Sequence, residues 1–355
     1  MSEPYIIWDP AVPPPAVATI QDLPRVTHVA LHQAVAGDYQ FLHEASLAAH
    51  EGILYAAWAN DPEGELSPGG TCRGRRSVDG GLHWSEVEVI AGELPGDERH
   101  NHGELYSDGQ QLHAFVARYG LGEGFLAGAV TELHTLRPEG WVNRGTVAPG
   151  IWPFTKPTPT GTGELLMLGV NQHTYPVAAL SQGDLTRWEV VPIPAPEGLI
   201  FVEPGLLVYD DELVALLRYE PTDAARREAR SKVALASVSR DGGRSWSLAQ
   251  ESNLPLAMSK VYAGRLSTGQ HYVVGNLDSR DLLYIAVSRP GERLFSRAWS
   301  IRRGRSPEPR TAGYCKTPQW SYPSAIEHED NLCVAYSVGK EDCALSIIPL
   351  EALKA

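Results

Sequence analysis

The sequence contains little cysteine, no long apolar run and relatively few positive charges. Its four cysteines form no CxxC pair and are too few for a disulfide framework, so we expect reduced thiols. No stretch approaches the roughly 18 consecutive apolar residues of a membrane span, and the first residues lack the basic and apolar segments of a signal peptide. The net charge of -13 argues against a nucleic acid partner, because such proteins need a basic face. We therefore expect a cytoplasmic protein that binds neither membranes nor nucleic acids.

Glycine, proline and tryptophan are abundant instead, with 34, 27 and 9 residues, as expected of an all-β protein with many turns. One pattern recurs six times: a polar or aromatic residue, a short apolar strand, a turn and a second apolar strand. The copies begin at His43, His102, Lys156, Glu203, Lys260 and Tyr322. Their starts lie roughly 45 to 65 residues apart, the span of four short strands with loops. The repeat predicts a six-bladed β-propeller, formed by a single domain over residues 1–355.

A second motif, S-x-D-x-G-x-x-W, marks a later hairpin in several repeats. It appears in full as Ser77, Asp79, Gly81 and Trp84, again as Ser239, Asp241, Gly243 and Trp246, and in degraded form from Ser181 through Asp184 to Trp188. Ser and Asp can bond to the amides of the turn, Gly takes a positive φ, and Trp covers the hairpin. This motif is the Asp-box, and with it the chain resembles the sialidase superfamily over about residues 40 to 350. Asp-boxes are structural turns at the outer rim of a propeller. They therefore indicate the fold but not a catalytic activity.

The sixth repeat has only one strand after its first hairpin, so its blade lacks a strand. The N-terminal segment Thr27–Gln33 can supply that strand and close the ring, which removes the sheet edges that an open array would expose. The alternative is a seven-bladed ring in which residues 1–40 belong to another blade.

We expect the functional site at one mouth of the central channel. The first strand of each blade lines the axis of a propeller, and loops at one end of the channel form the pocket. The residues that open the six repeats should therefore surround one mouth. They comprise two His, two Lys, a Glu and a Tyr, which is a set rich in titratable groups.

The sialidase resemblance implies roles for four residues. Glu203 and Arg218 match a Glu and an Arg that belong to one blade in that family, and Arg280 matches a further Arg. Tyr322, which opens the last repeat, matches the nucleophile of the family, with Glu203 as its partner. The two arginines then bind the substrate. Further candidates for substrate binding are Lys156, Lys260 and Arg118.

The chain departs from the family at two positions. The first-blade Arg of the three-Arg carboxylate clamp is replaced by Leu42 or His43, and neither can make the two-pronged contact of a guanidinium. The acid/base Asp of the family has no clean counterpart, although Asp61 or Glu65 can serve. The resemblance therefore does not imply a standard sialidase.

Histidines near the repeat starts offer further chemistry. His43 and the pair His100 and His102 can act as general bases near neutral pH, and we count His43 and His102 as catalytic candidates. A zinc site formed by these three residues is not predicted, because their spacing matches no standard ligand pattern. We expect no metal and no cofactor.

Three functions are compatible with these features. The first is an exo-acting glycoside hydrolase that removes a terminal sugar, an acidic one if Arg218 and Arg280 hold its charge. The second is a lyase on uronate-containing glycans, in which a His or Tyr takes the proton α to the carboxylate. The third is a non-catalytic propeller that binds glycans or proteins. The pair of Glu203 and Tyr322 favours the hydrolase, whereas the pocket histidines favour the lyase. We expect a carbohydrate substrate and, among the three, the hydrolase.

Overall fold

The computed structural model describes residues 3–120, 126–161 and 163–354. Their regular structure is almost entirely β, with one short α-helix, α1 (Ala224–Ala229), and one 3₁₀ turn (Leu350–Leu353). No helix in this part of the chain is long and apolar enough to cross a membrane. The described strands form six sheets, one for each predicted repeat. The predicted six-bladed propeller is confirmed, and the seven-bladed alternative is wrong.

The chain begins with two short strands that join the last blades, β1 (Gln21–Asp22) and β2 (Thr27–His32). Blade 1 contains β3 (Phe41–His50), β4 (Ile53–Asp61), β5 (Thr71–Ser77) and β6 (Glu88–Ala91). Blade 2 contains β7 (Arg99–Ser107), β8 (Leu112–Tyr119), β9 (Val130–Arg137) and β10 (Gly140–Pro149). Blade 3 contains β11 (Trp152–Pro153), β12 (Thr158–Pro159), β13 (Leu165–Val170), β14 (Pro176–Ser181) and β15 (Glu189–Pro192).

The remaining blades follow in chain order. Blade 4 contains β16 (Pro204–Val208), β17 (Leu213–Leu217), β18 (Val233–Ser239) and β19 (Gln250–Pro255). Blade 5 contains β20 (Tyr262–Arg265), β21 (His271–Asn276), β22 (Leu282–Ser288) and β23 (Phe295–Arg303). Blade 6 contains β24 (Trp320–His328), β25 (Asn331–Val338) and β26 (Asp342–Pro349). In each blade the first strand is the innermost, and consecutive strands pair antiparallel, except that β11 and β12 of blade 3 both pair with β13.

The N-terminal segment connects three blades. β2 pairs antiparallel with β26 and is the outermost strand of blade 6. β1 lies parallel to β23 at the edge of blade 5. Upstream of both, Tyr5 bridges to Ser252 in blade 4, and Trp8 bridges to Phe295 in blade 5. The strand that the sixth repeat lacks is therefore supplied by the beginning of the chain.

The core lies between neighbouring blades. On β4, Leu54 and Trp58 pack in a cluster shared with blade 6, whereas Tyr55 and Ala57 pack in a cluster shared with blade 2. Side chains alternate between the two faces of a strand, so a sheet placed between two others needs apolar residues at successive positions. This explains why β4 is a nearly continuous apolar run rather than an alternating one.

Hydrogen bonds hold the turn of the first Asp-box. The Ser77 hydroxyl donates to Asp79 at 2.8 Å and accepts from the Gly81 amide at 2.9 Å. Gly81 has a φ of 96°, and a Cβ there would lie 2.5 Å from a Leu345 methyl carbon. The Trp84 ring donates to the Gly81 carbonyl at 3.0 Å, but this ring is only half-buried. The equivalent ring of the second Asp-box, on Trp246, is buried.

Candidate active site

A cavity of about 290 Å³ lies at one mouth of the channel. Residues from all six blades line it, and its apolar side includes Trp152, Phe154 and Phe201. Its titratable residues are His43, Glu44, Glu65, Glu203, Arg218, Arg280, Tyr314, Cys315, Tyr322 and Lys340. Five of the nine residues that the sequence analysis proposed for the site line this cavity: His43, Glu203, Arg218, Arg280 and Tyr322.

Tyr322, Glu203 and Arg218 form a hydrogen-bonded triangle in the cavity wall. The Tyr322 hydroxyl donates to Glu203 Oε1. Arg218 Nη1 donates to the same Glu203 oxygen and to the Tyr322 hydroxyl, both at 2.9 Å, while Nη2 contacts Glu220. All three side chains of the triangle are buried, with residue exposures between 3% and 7%. Blade 4 and blade 6 thus contribute to one site residues that lie 104 and 119 positions apart in the chain.

Burial shifts the pKa values of both Glu203 and Tyr322 in the triangle. Burial raises the pKa of Glu203 above its usual value, although the Arg218 guanidinium opposes the effect, so this carboxylate is a stronger base than an exposed one. Burial and the Glu203 charge raise the pKa of Tyr322 well above 10. The phenol therefore keeps its proton at neutral pH.

Bulges in three inner strands turn side chains toward the cavity. The pairing of β3 with β4, of β7 with β8 and of β24 with β25 is each interrupted by a register shift. Glu44, Asn101 and Tyr322 lie in these bulges and line the cavity. Glu44 and Tyr322 have φ values of 55° and 58°, a left-handed conformation that residues other than glycine seldom adopt. Since a bulge bends its strand and redirects a side chain, it explains how residues within a strand point into the cavity.

The two catalytic histidine candidates are placed differently. His43 lines the cavity, and its ring lies 3.8 Å from the Tyr322 ring between centroids. Its Nδ1 is 3.2 Å from the Ser337 hydroxyl, and burial lowers its pKa well below 6.5, so the ring is neutral. His102 is fully buried behind the wall, where it contacts the Glu44 carboxylate. Burial lowers the pKa of His102, but the charge and hydrogen bond of Glu44 together with the Glu104 charge outweigh this effect and raise it overall.

Two further cations line the cavity close to Tyr322. Arg280 Cζ and Lys340 Nζ lie 5.3 Å and 5.7 Å from the centroid of the Tyr322 ring. Arg280 donates to the Gln319 side chain at 2.8 Å, and Lys340 forms an ion pair with Glu65 at 2.8 Å. Lys340 follows β25 in the turn to β26, so blade 6 provides a cation that the first blade lacks at Leu42 and His43.

Three of the proposed substrate-binding residues lie outside the cavity. Lys260 is fully buried deeper in the channel, 3.5 Å from Glu104. Lys156 lines a second cavity of about 350 Å³ at the other end of the inner strands. Arg118 forms ion pairs with acidic residues on blade 2, among them Glu132 at 2.7 Å. Their cationic groups are therefore paired or placed elsewhere, and the structure gives them no role in this cavity.

The two acid/base candidates differ in access. Asp61 is fully buried and does not line the cavity; its Oδ2 accepts from the Leu66 amide at 2.8 Å. Burial raises the pKa of Asp61 to about 8. Glu65 lines the cavity, and although burial raises its pKa, the Lys340 ammonium lowers it below the usual value. Glu65 is therefore the accessible carboxylate of the two, and it is ionised.

Comparison with known proteins agrees with this architecture. A family model for BNR repeat-like domains matches residues 155–334, just over half of the chain. The chain belongs to this family. Its six blades make it a BNR propeller. No curated protein is significantly similar to it in sequence.

Solved structures resemble the BNR propeller at low identity. A protein of unknown function from Dyadobacter fermentans is 17% identical with a TM-score of 0.67, covering 91% of this chain and 99% of its own. A Hadza microbial sialidase is 13% identical with a TM-score of 0.68, and the match covers 92% of this chain and 69% of the sialidase chain. Trypanosoma rangeli sialidase is 11% identical with a TM-score of 0.65, covering 93% of this chain and 60% of its own, so the BNR propeller spans well under two thirds of that enzyme. At these identities the likeness shows the fold alone.

Sequence reasoning missed several lining residues of this BNR propeller. Glu44 directly follows the selected His43, but its direction depends on a bulge that the apolar pattern does not reveal. Lys340 stands beside Gly339 in a tight turn, a place where lysine is usually solvated. Its place in the turn gave no signal that Lys340 would line the cavity.

Proposed function

We propose that this BNR propeller is a glycoside hydrolase that removes a terminal, negatively charged sugar, with Tyr322 as its nucleophile. The observation that carries the proposal is the hydrogen bond from the Tyr322 hydroxyl to the buried Glu203 carboxylate, beside Arg218 and in the wall of the cavity. A tyrosine with a neighbouring carboxylate is the known exception to the two-carboxylate rule of glycoside hydrolysis.

The chemistry follows from this hydrogen bond. The Tyr322 oxygen forms a bond to the anomeric carbon while its proton passes to Glu203. The bond from that carbon to the departing oxygen breaks with its electron pair, and the departing oxygen takes up a proton from solvent. Water then attacks the anomeric carbon of the sugar on Tyr322 and releases one proton to solvent. The bond to the tyrosine oxygen breaks with its electron pair, and this oxygen recovers its proton from Glu203. Arg218 stabilises the negative charge that the phenol oxygen carries in both steps.

Arg280 supports an anionic substrate. Of the three cations that line the cavity, Arg218 is paired with Glu203 and Lys340 with Glu65. Arg280 donates only to the neutral Gln319 side chain and the Met258 carbonyl among the described residues. A guanidinium without a carboxylate partner is a suitable contact for a carboxylate on the substrate. The sialidases of similar fold also support a carbohydrate substrate.

The substrate is not an ordinary sialoside. The first-blade position that would complete a three-Arg clamp holds Leu42, which is buried, and His43, which is neutral. We therefore expect slow or no release of sialic acid. Because Glu65 is ionised and donates protons poorly, we also expect aryl glycosides, whose leaving groups need little protonation, to react faster than alkyl glycosides.

A uronate lyase is the second candidate, because His43 has one free nitrogen. Its Nε2 is buried without a hydrogen-bond partner in the described part of the chain, and the ring is neutral. A neutral imidazole at the cavity wall can take a proton α to a carboxylate. Elimination would leave an unsaturated uronate with a new ultraviolet absorbance, which hydrolysis does not produce.

One assay distinguishes the candidates. Neutral, sialylated and uronate-containing aryl glycosides are incubated with the protein, and both aglycone release and ultraviolet absorbance are followed. The hydrolase predicts release from an acidic glycoside, no new absorbance from an unsaturated sugar, and loss of release in Arg280→Gln but not in the exposed Arg240→Gln. An unsaturated product would establish the lyase instead. If the protein binds glycans but turns over none of the glycosides, it is a non-catalytic binding propeller.

A further inference from the structure

A second cluster of titratable groups lies in blade 2, outside the cavity. His100 on β7 and Glu132 and His134 on β9 place one possible ligand atom each within 4.8 Å of one another. Glu132 and His134 are two residues apart, so their side chains stand on the same face of the strand. All three residues are buried, at 3%, 7% and 3% exposure. Of the histidines that the sequence analysis considered together, only His100 belongs to this cluster.

The hydrogen bonds of His100 determine which nitrogen faces Glu132. Nδ1 lies 2.6 Å from the Gly92 carbonyl oxygen, which can only accept, so Nδ1 carries a proton. In a neutral ring Nε2 then presents a lone pair to Glu132 Oε2, at 3.2 Å. His134 Nε2 lies 3.5 Å from the same oxygen and is buried without a hydrogen-bond partner among the described residues. Lone pairs that converge in a buried site repel each other unless a proton or a metal ion lies between them.

We propose that His100, Glu132 and His134 bind a divalent transition metal ion. Two imidazoles and one carboxylate are a ligand set suited to Zn²⁺. A ring N–H that donates to a backbone carbonyl, as in His100, is the usual way in which a metal-binding histidine is oriented. Arg118 Nε holds the other carboxylate oxygen of Glu132 at 2.7 Å, and Asn143 donates to Oε2 at 2.8 Å. The carboxylate is thus oriented with Oε2 toward the histidines.

The distances allow such an ion after small side-chain movements. Tetrahedral ligands at the usual zinc bond lengths lie about 3.3 Å apart. The two separations from Glu132 Oε2, 3.2 Å and 3.5 Å, are close to that value. Asn143 is exposed, so solvent lies next to the cluster and a water molecule can fill the fourth position. The ion would connect β7 to β9 beside Asn101, which lines the cavity.

Zinc binding to the intact protein tests this proposal. The protein is first treated with a chelator, and Zn²⁺ is then titrated in competition with a chromophoric chelator of known affinity. We expect one tight equivalent. His134→Ala should weaken it by more than the roughly 100-fold that losing a merely orienting group can cost. His83→Ala, which removes a histidine with a side chain 89% exposed, should leave the tight equivalent unchanged.

Equal zinc affinity in the unmodified protein and in His134→Ala would overturn the proposal. The cluster would then be an ion pair of protonated histidines with Glu132. If His134→Ala does not fold, Co²⁺ added to the unmodified protein decides the question. Visible d–d absorption that disappears on addition of one equivalent of Zn²⁺ would support the site, and no such absorption would refute it.

Discussion

The two sides of the ring build their parts of the cavity by different means. In blades 6, 1 and 2 the inner strand is bulged, and residues within the bulges line the cavity: Tyr322, Glu44 and Asn101. In blade 4 the inner pair β16 and β17 has no register shift. Here Glu203 directly precedes β16 and Arg218 directly follows β17. Blade 5 is equally regular in its inner pair, and its Arg280 comes from the loop between β21 and β22.

This difference separates two ways of placing a reactive group. A regular strand leaves its site residues at the ends, where loops carry them and where substitutions disturb the sheet little. A bulge places a site residue within the strand, with a left-handed backbone that the surrounding sheet must hold. The bulged side, formed by blades 6, 1 and 2, carries the proposed nucleophile Tyr322. The regular side, formed by blades 4 and 5, carries Glu203 and the two arginines Arg218 and Arg280.

Removing the Tyr322 hydroxyl is the strongest test of the bulged side. Tyr322→Phe should lower turnover by at least about 1,000-fold, because the nucleophile is lost. Substrate affinity and the melting temperature should change little, because the ring still packs against His43. Steady-state kinetics and circular dichroism measure the two effects. Normal turnover in a folded Tyr322→Phe protein would mean that the bulged side carries no nucleophile.

Arg218→Lys tests the regular side. The charge is kept, but the fork that contacts Glu203, Tyr322 and Glu220 is lost, so kcat/KM should fall by about 100-fold. Arg240→Lys is a matched control in the same blade, because the Arg240 side chain is 72% exposed and does not line the cavity. If Arg218→Lys retains full activity, the regular side contributes only charge.

Asp61, paired with Phe41 at the start of the bulged β3, should make stability depend on pH. Burial raises its pKa from 3.8 to about 8, so the folded protein keeps a proton that the unfolded chain releases. This contribution is complete below about pH 4 and is lost as the pH rises to about 8, at roughly 1.4 kcal/mol per pH unit. Asp61→Asn should remove this slope in the free energy of unfolding, measured with urea.

Asp210→Asn is the control for this pH dependence. The Asp210 side chain is 96% exposed, so the variant should keep the slope of the unmodified protein. A slope that is unchanged in Asp61→Asn would show that the buried carboxyl is not the group that titrates.

His43→Ala should have the smallest effect if the protein is a hydrolase. His43 packs against Tyr322 but donates no hydrogen bond to the triangle, so turnover should fall by less than about 10-fold. In a lyase the same change removes the base, and the expected loss is about 100-fold or more. Rates on an acidic aryl glycoside and on a uronate-containing glycan measure the two cases. A large loss on the uronate glycan alone would identify the bulged side as the site of a base.

Three residues that the sequence analysis selected, Glu203, Arg218 and Tyr322, lie together in the wall of one cavity. Glu203 and Tyr322 were selected because they open repeats, and Arg218 because it matches a family Arg in the blade of Glu203. Lys156 was misplaced because the inner strand of blade 3 is broken into β11 and β12, with Lys156 between them rather than at the start. Lys260 stands before β20 as expected, but its side chain turns into the channel toward Glu104. Apolar periodicity reports neither a break in a strand nor the direction of one polar side chain.

The sequence by itself determined the blade count, the turns of the Asp-boxes and the need for an additional strand, because apolar runs and turn residues are local properties. Only the tertiary structure decided that Tyr322 reaches Glu203 and Arg218, that Lys340 lines the cavity, and that His100 lies beside Glu132 and His134. These contacts depend on closure of the ring and on backbone angles at bulges. A single residue with positive φ redirects a side chain without changing the apolar pattern around it.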